Sequence, residues 1–209
     1  MTSWLNTENI ARSKDGVEYH PLRPFLPENA TVLFLGSFPP QRKRWCTDFY
    51  YPNFINDFWR ICGLAFFGDR DHFIPPGEKR FDKAAIMEFC REKGIALYDT
   101  ACEIRRLKEN ASDKFLEVVT PTDLPALLER IPSCRTVVTT GQKATDVLTG
   151  TFGCKEPSIG SSEPVRIGNR DLLFYRMPST SRAYPLSLDK KTAAYRQLFN
   201  QIGLLQTSR

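Results

Sequence analysis

Thr31-Val-Leu-Phe-Leu-Gly36 is a short apolar run that opens with β-branched residues and closes on a glycine. A run of this kind predicts a strand that is buried on both faces of a parallel sheet. Similar strand patterns follow at residues 95–98, 136–140 and 172–177, with helical patterns between them. Because strands that alternate with helices form a sheet covered by helices, we predict an α/β fold: a three-layer α/β/α sandwich with a central, mostly parallel four-stranded sheet.

The predicted helices are marked by capping residues and by apolar residues at three-to-four spacing. They begin near Asp82, Thr122, Gly141 and Asp189 and end near Gly94, Ile131, Leu148 and Ile202. In the last helix we expect a buried stripe of Ala194, Leu198 and Ile202, and we expect Lys190-Lys191 on the exposed side. Gly168-Asn169 lies between two strand patterns and predicts a hairpin turn.

The length of 209 residues favours a single compact core. Residues 1–30 are polar and proline-punctuated in their last third, so we expect an N-terminal arm packed on one domain of residues 31–209. Hydrophobic residues make up 41% and charged residues 25%, which excludes a mainly disordered chain. The apolar runs are too short for a membrane span and the N-terminus lacks a secretory segment, so we expect a cytoplasmic monomer without membrane contact.

Metal chemistry finds little support in the composition. The six cysteines include no Cys-x-x-Cys pair, and His20 and His72 are the chain's only histidines. These features argue against zinc, iron–sulfur and multi-histidine sites, so we expect reduced thiols, no metal and no cofactor. Neither histidine stands in a recognisable motif, which favours a structural or surface role for both.

Ligands of such sheets bind at the carboxyl ends of the strands, which directs attention to four loops. These loops are residues 36–59, 99–113, 141–142 and 178–187. The first contains a glycine, the basic run Arg42-Lys43-Arg44 and the pair Tyr50-Tyr51, a combination suited to phosphates and to stacking on a base. Arg105-Arg106 in the second loop is expected to add positive charge at the same edge, in a chain of net charge +5.

Four segments, in this order and spacing, resemble the uracil-DNA glycosylase superfamily, especially its mismatch-specific and hypoxanthine-DNA glycosylase branches. They are Gly36-Ser-Phe-Pro-Pro40, Tyr50-Tyr51, Asn56-Asp-Phe-Trp59 and Pro178-Ser-Thr-Ser-Arg182. The segments Leu97-Tyr98-Asp99, Thr139-Thr-Gly141 and Ala194-Tyr-Arg196 extend the resemblance over residues 31–203. It implies the superfamily's α/β/α fold and a DNA partner that contains deaminated or mismatched bases.

Two positions depart from the mismatch-specific pattern. Phe38 stands where those members carry a catalytic asparagine, and Met177 stands where many superfamily members carry histidine or asparagine. The hypoxanthine-type branch resembles this chain in having apolar residues at both points and in relying on the asparagine of the Asn-x-Phe-Trp segment, here Asn56. The resemblance therefore implies that Asn56 positions the attacking water.

The same resemblance implies roles for the other loop residues. The backbone amides of Ser37 and Phe38 are expected to hydrogen-bond the edge of the flipped base and to take part in catalysis. The base pocket is expected to consist of Gly36, Tyr51 and Met177, with Tyr51 stacked on the base. The expected DNA contacts are Pro178, Ser179, Thr180, Ser181, Arg182, Arg42 and Arg44. Within this set Arg182 fills the space that the flipped base leaves, and Arg42 and Arg44 touch DNA without sequence preference.

The predicted activity is that of a monofunctional, metal-independent DNA glycosylase acting on hypoxanthine or uracil, since no lysine stands in a recognisable nucleophile position. In a bacterium it would be associated with the nucleoid. Two alternatives stay open: a catalytically silent DNA-damage-binding protein of the same fold, and a small-molecule nucleotide or phosphate enzyme. Two residue roles also stay open. Asp99 is either a loop brace or a catalytic group, and Gly141-Gln142 is either a phosphate site or a tight turn. We expect Phe58 and Trp59 in the core.

Overall fold

A computed structural model describes residues 16–107 and 115–205 of the chain. Its strands are β1 (Val17–Tyr19), β2 (Val32–Gly36), β3 (Ile95–Asp99), β4 (Ala101–Arg106), β5 (Leu116–Pro121), β6 (Thr136–Thr140), β7 (Ser161–Ile167) and β8 (Arg170–Met177). Its α-helices are α1 (Phe58–Phe67), α2 (Lys83–Lys93), α3 (Leu124–Glu129), α4 (Gln142–Phe152) and α5 (Leu188–Gln201). Across the described ranges, no helix combines the length and apolarity that a bilayer crossing requires.

The central sheet has the strand order β3-β2-β6-β8-β7. Its first four strands are parallel, and β7 joins as an antiparallel edge through a two-residue turn at Gly168-Asn169. The predicted α/β fold with a mostly parallel central sheet is thus confirmed. The predicted number of four strands is wrong, because the hairpin adds β7 as a fifth strand. Since β2, β3, β6 and β8 run in one direction, their carboxyl ends meet at a single edge.

A second, three-stranded antiparallel sheet joins β1, β4 and β5. The prediction that residues 99–113 form a loop is therefore wrong for residues 101–106, which form β4, while residues 108–114 lie outside the described residues. The burial of β4 does not alternate along the strand, so period-two patterning gives no signal there. Within the expected N-terminal arm, β1 pairs with β4 and Phe25 bridges to Leu97; residues 1–15 lie outside the described part.

Capping residues define where the helices begin. The Asp82 carboxylate accepts from the amides of Ala84 and Ala85, and Gly94 ends α2 in a left-handed conformation, as predicted. The prediction of Thr122 as the cap of α3 is wrong, because Asp123 caps that helix. Ser187 caps α5, which begins one residue before the predicted start.

The core packs the helices on both faces of the central sheet. Phe58 and Trp59 are each 1% exposed, which confirms their predicted core position. On α5, Leu198 is buried as expected, and the buried face also carries Lys191, Thr192, Tyr195 and Phe199, whereas Ala194 and Ile202 are half-buried. The expectation that Lys191 is exposed is therefore wrong, and its partners belong to the site described next.

Candidate functional site

A cleft of about 880 Å³ opens at the carboxyl ends of the parallel strands. It brings together most of the residues that the sequence predicts for the site, from loops far apart in the chain. These residues are Gly36, Ser37, Phe38, Arg44, Tyr51, Asn56, Ser179, Thr180, Ser181 and Arg182. Three predicted residues, Arg42, Met177 and Pro178, are not among those that line the cleft.

The inner wall of the cleft carries a buried carboxylate that the sequence did not single out as a ligand-binding group. Gly36 and Asp99 end the paired strands β2 and β3 and lie side by side in register. Asp99 is 7% exposed and lines the cleft. A Cβ atom added at Gly36 would lie 2.2 Å from Asp99 Oδ1, so the carboxylate occupies the space that any side chain at position 36 would need.

His20 holds this carboxylate from behind. Its Nε2 donates to Asp99 Oδ2 at 2.8 Å, and its Nδ1 lies 2.8 Å from the carbonyl oxygen of Leu22. The ring packs against Tyr98 and against the edge of Phe38. His20 thus has a structural role, as predicted, but it performs that role at the wall of the cleft rather than at the surface.

Phe38 anchors the turn after β2. Its side chain is 7% exposed and packs in a small apolar cluster with Ala101, Ile104 and Leu116 of the second sheet. This packing accounts for an apolar residue at position 38. The predicted hydrogen bonds from the amides of Ser37 and Phe38 to a ligand stay a prediction.

Asn56 lies at the start of α1 with its side chain fixed. Its Oδ1 accepts from the amide of Phe58, the first residue of α1, at 2.9 Å, in the turn that leads into the helix. Its own backbone N–H donates to the carbonyl oxygen of Asn53 at 2.8 Å. An amide oxygen has two lone pairs, so Oδ1 can accept a bond from water while it also accepts from the Phe58 amide. Among the described residues, Nδ2 has no hydrogen-bond partner and is available to a ligand.

A buried arginine clamps the turn that carries Asn56. Arg60 is 5% exposed, and its Nη1 donates to the carbonyl oxygens of Phe54 at 2.6 Å and of Asn56 at 3.3 Å. Its guanidinium also lies over the Phe54 ring. Burial, and secondarily the nearby charge of Arg182, lowers the pKa of Arg60 from its ordinary value. No sequence motif marks Arg60, because its partners are backbone carbonyls.

Tyr51 forms an aromatic wall of the cleft. Its ring stacks on Phe58 with the centroids 3.9 Å apart, and its hydroxyl lies 3.0 Å from Thr140 Oγ1. Its backbone has φ of 50°, a left-handed conformation that is uncommon for a residue with a side chain. Burial raises the pKa of Tyr51 well above its ordinary value, so the phenol keeps its proton in alkaline solution as well. One ring face is covered by Phe58, Trp59 lies edge-on at 6.2 Å between centroids, and Tyr51 is among the residues that line the cleft, so its stacking on a base stays a prediction.

The loop after β8 is joined to the turn before α1 by an ion-pair network. Asp57 is 4% exposed, and its Oδ2 accepts from Lys191 Nζ at 2.9 Å while its Oδ1 accepts from Arg182 at 3.3 Å. Lys191 also donates to the carbonyl oxygen of Ser181 at 2.7 Å. The amide of Asp57 donates to the carbonyl oxygen of Thr180 at 2.9 Å, which ties the two loops together.

Met177 and Pro178 support the cleft from below. Met177 is 1% exposed, and its carbonyl oxygen accepts from the amide of Gly141; the carbonyl oxygen of Pro178 accepts from the Tyr195 hydroxyl. The predicted contact of Met177 with a ligand is thus not supported by its position. Gly141 has φ of 101° and packs on Ser179, which favours the tight-turn interpretation of Gly141-Gln142.

The basic residues differ in their availability. Arg44 is exposed and lines the cleft, whereas Arg42 lies outside it, bound to Asp48 at 2.7 Å and stacked on Trp45. The expectation that Arg106 adds positive charge at this edge is wrong, because Glu18 pairs with it. Its side chain is 5% exposed and donates to Glu18 at 2.9 Å and to the Pro39 carbonyl oxygen at 2.6 Å.

The donor set of the site contains no metal-ligating cluster. In the described part of the chain no three histidine, cysteine, aspartate or glutamate side chains converge on one point. The six cysteines, all in that part, are free thiols. The cleft can therefore offer hydrogen bonds, an aromatic face, one carboxylate and exposed guanidinium groups to a ligand.

No protein-family model matches the sequence, and no curated protein matches it. Among solved structures, the chain is similar to the solution NMR structure of "a putative Uracil DNA glycosylase" from Methanosarcina acetivorans. The two chains are 23% identical and superpose with a TM-score of 0.57, over 87% of this chain and 96% of that one. This likeness establishes that the two proteins share a fold, the α/β/α sandwich described above.

Proposed function

We propose that this protein is a DNA glycosylase of the uracil-DNA glycosylase superfamily that hydrolyses the N-glycosidic bond of a flipped hypoxanthine or uracil. The observation that carries the proposal is the meeting of Asn56, Tyr51 and the 179–182 loop in one cleft. The ordered sequence motifs and the shared fold with the Methanosarcina protein support the superfamily. The apolar residues Phe38 and Met177 favour the hypoxanthine-type branch.

Asn56 is the group that orients the attacking water in this proposal. Departure of the base develops positive charge on the sugar, and a strongly dissociative reaction needs a well-placed water more than a strong base. The Asn56 side chain is held by the Phe58 amide, and the Arg60 clamp fixes its turn. An amide in a fixed position is therefore sufficient for the role.

Asp99 contributes base selection. Hypoxanthine and uracil each carry a ring N–H beside a carbonyl group, whereas adenine and cytosine carry a lone pair at the equivalent nitrogen. A carboxylate oriented by His20 accepts from such an N–H and repels the lone pair. This chemistry favours a deaminated base over its parent.

The outer part of the cleft suits the DNA strand. Extracting a nucleotide costs about a few kcal/mol, and a mismatched or damaged pair lowers that cost. The rim of the cleft carries two hydroxyl groups and two exposed guanidinium groups, those of Ser179, Ser181, Arg44 and Arg182. These groups would contact the DNA phosphates and the space in the base stack that the flipped base leaves. The partner is therefore DNA with deaminated or mismatched bases.

Asn56→Ala tests the site and the substrate together. The single-turnover rate of base release is measured on duplexes containing hypoxanthine, uracil, xanthine or a G:T pair. On the preferred duplex we expect this rate to fall by about a hundredfold or more in the variant. Asn29→Ala is the matched control, since Asn29 is exposed and donates to the Arg91 carbonyl oxygen away from the cleft. Release that is unchanged in Asn56→Ala would remove Asn56 from the role of water positioning.

The same assay separates the alternatives. DNA binding without base release on any duplex would indicate a silent damage-binding protein, and hydrolysis of free nucleotides without DNA affinity would indicate a small-molecule enzyme. Lys143 is a lysine that lines the cleft. We propose a monofunctional enzyme, so borohydride should trap no covalent adduct with DNA; an adduct that disappears in Lys143→Gln would show lyase chemistry instead.

A further inference from the structure

The network around Asp57 joins one buried carboxylate to two cations of different exposure. Lys191 is fully buried, with its side chain 1% exposed, whereas the Arg182 side chain is 51% exposed. The two cations bind different oxygens of Asp57. The buried pair is thus Asp57 with Lys191, and Arg182 is an additional, outer partner.

We propose that Lys191 is a positioning residue that neutralises Asp57, so that Arg182 can leave Asp57 and extend to DNA. A buried carboxylate without a partner is strongly unfavourable. Without Lys191, Arg182 would be the one described cation left within ion-pair distance of Asp57, with the buried Arg60 as a more distant charge. With Lys191 in place, departure of Arg182 leaves a neutral, hydrogen-bonded pair behind. The DNA part of this inference rests on the proposed function; the control of Arg182 by Lys191 does not.

A second contact links the same lysine to the backbone of the arginine's loop. Lys191 donates to the carbonyl oxygen of Ser181, the residue that precedes Arg182. The backbone of the loop is therefore fixed while the Arg182 side chain stays free to change partner. A loop with a fixed backbone and an arginine side chain that can move is suited to contacting a DNA strand repeatedly.

Charge removal at two sites gives opposite expectations for DNA binding. Lys191→Gln keeps a side-chain N–H donor but removes the lysine charge, so Arg182 is left to balance the charge of Asp57. The dissociation constant for a duplex with a stable abasic analogue should then rise about tenfold, which corresponds to about 1.4 kcal/mol. Asp57→Asn combined with Lys191→Gln removes both charges and frees Arg182, so the constant should return to the native value or below it. A purely structural role of Lys191 predicts weaker binding in both variants.

A double-mutant cycle adds a test that folding defects do not imitate. Arg182→Ala should raise the dissociation constant about tenfold in the native protein and less than about twofold in Lys191→Gln. Lys190→Gln is the matched control, because Lys190 is the exposed neighbour on the same helix, and it should behave as the native protein. Equal effects of Arg182→Ala in both backgrounds would overturn the proposal.

A measurement without DNA separates this inference from the proposed function. Nitrogen-15 NMR of the Arg182 guanidinium should show fast rotation in the native protein, hindered rotation in Lys191→Gln and fast rotation again in the double variant. The same rotation rate in all three proteins would overturn the proposal that Lys191 controls the pairing of Arg182 with Asp57. If the native protein binds no DNA, the proposed function fails, and the NMR result still decides the ion-pair part. If Lys191→Gln does not fold, the double variant decides, since hindered rotation in it contradicts the proposal.

Discussion

The Asp99 carboxylate fills the space beside Gly36, such that a Cβ atom at position 36 would lie 2.2 Å from Asp99 Oδ1. The glycine is therefore required by a neighbouring side chain of the protein itself, in addition to any close approach of a ligand. Because both residues end paired parallel strands, the carboxylate is held at the inner wall of the cleft by the register of the sheet.

Gly36→Ala is expected to displace this carboxylate. The added methyl group must push Asp99 away from His20, which should cost about 1–3 kcal/mol in the free energy of unfolding and reduce base release. Urea unfolding and the single-turnover assay measure the two effects. Gly150→Ala is the control, because a Cβ there meets nothing within 4 Å in α4, and it should stabilise the protein by about 0.5–1 kcal/mol. Equal stability of the two variants would contradict the steric argument.

His20→Ala is expected to leave Asp99 without its buried donor. The loss should lower the free energy of unfolding by about 1–3 kcal/mol and weaken the discrimination between hypoxanthine and adenine. His72→Ala provides the comparison, since His72 is exposed and stacks on Phe67. Discrimination that is the same in both variants would mean that His20 does not orient Asp99.

Alkaline pH is expected to unfold the protein through its buried tyrosines. Burial raises the pKa of Tyr50, Tyr51, Tyr98 and Tyr195 above the ordinary value of 10.0. Above that pH the unfolded chain loses phenolic protons that the folded chain keeps, so stability is complete at lower pH and falls as the pH rises. Near-ultraviolet tyrosinate absorbance and far-ultraviolet circular dichroism, followed together, should show these four phenols ionising only as the fold is lost. Their ionisation in a protein with native dichroism would refute this expectation.

The parts of the fold that the sequence predicts are those with local signals. Apolar runs identify β2 and the other parallel strands, and Asp82 and Gly94 bound α2, because these patterns depend on near neighbours. Strand β4 has no alternating burial, so no local pattern in the sequence marks it. Adjacent Thr122 and Asp123 both have N-cap chemistry, and only the folded backbone distinguishes them.

The residues of the site likewise fall into those that local motifs in the sequence indicate and those that they do not. Asn56, Tyr51 and Arg182 belong to contiguous motifs and the cleft gathers them. Asp99 and His20 are 79 residues apart, and Asp57 and Lys191 are 134 apart, so no spacing in the sequence indicates either pair. A lysine beside another lysine on an amphipathic helix resembles a solvated residue until its partner carboxylate is known.

Glycosidic hydrolysis by this protein is tested most directly by the identity of the products that the native protein, in molar excess, forms from duplexes with a single hypoxanthine or uracil. We expect free base in the supernatant and, in equal amount, an intact strand with an abasic site that alkali then cleaves. Intact DNA with no free base, or release of a nucleotide in place of a base, would contradict the assignment of this cleft to glycosidic hydrolysis.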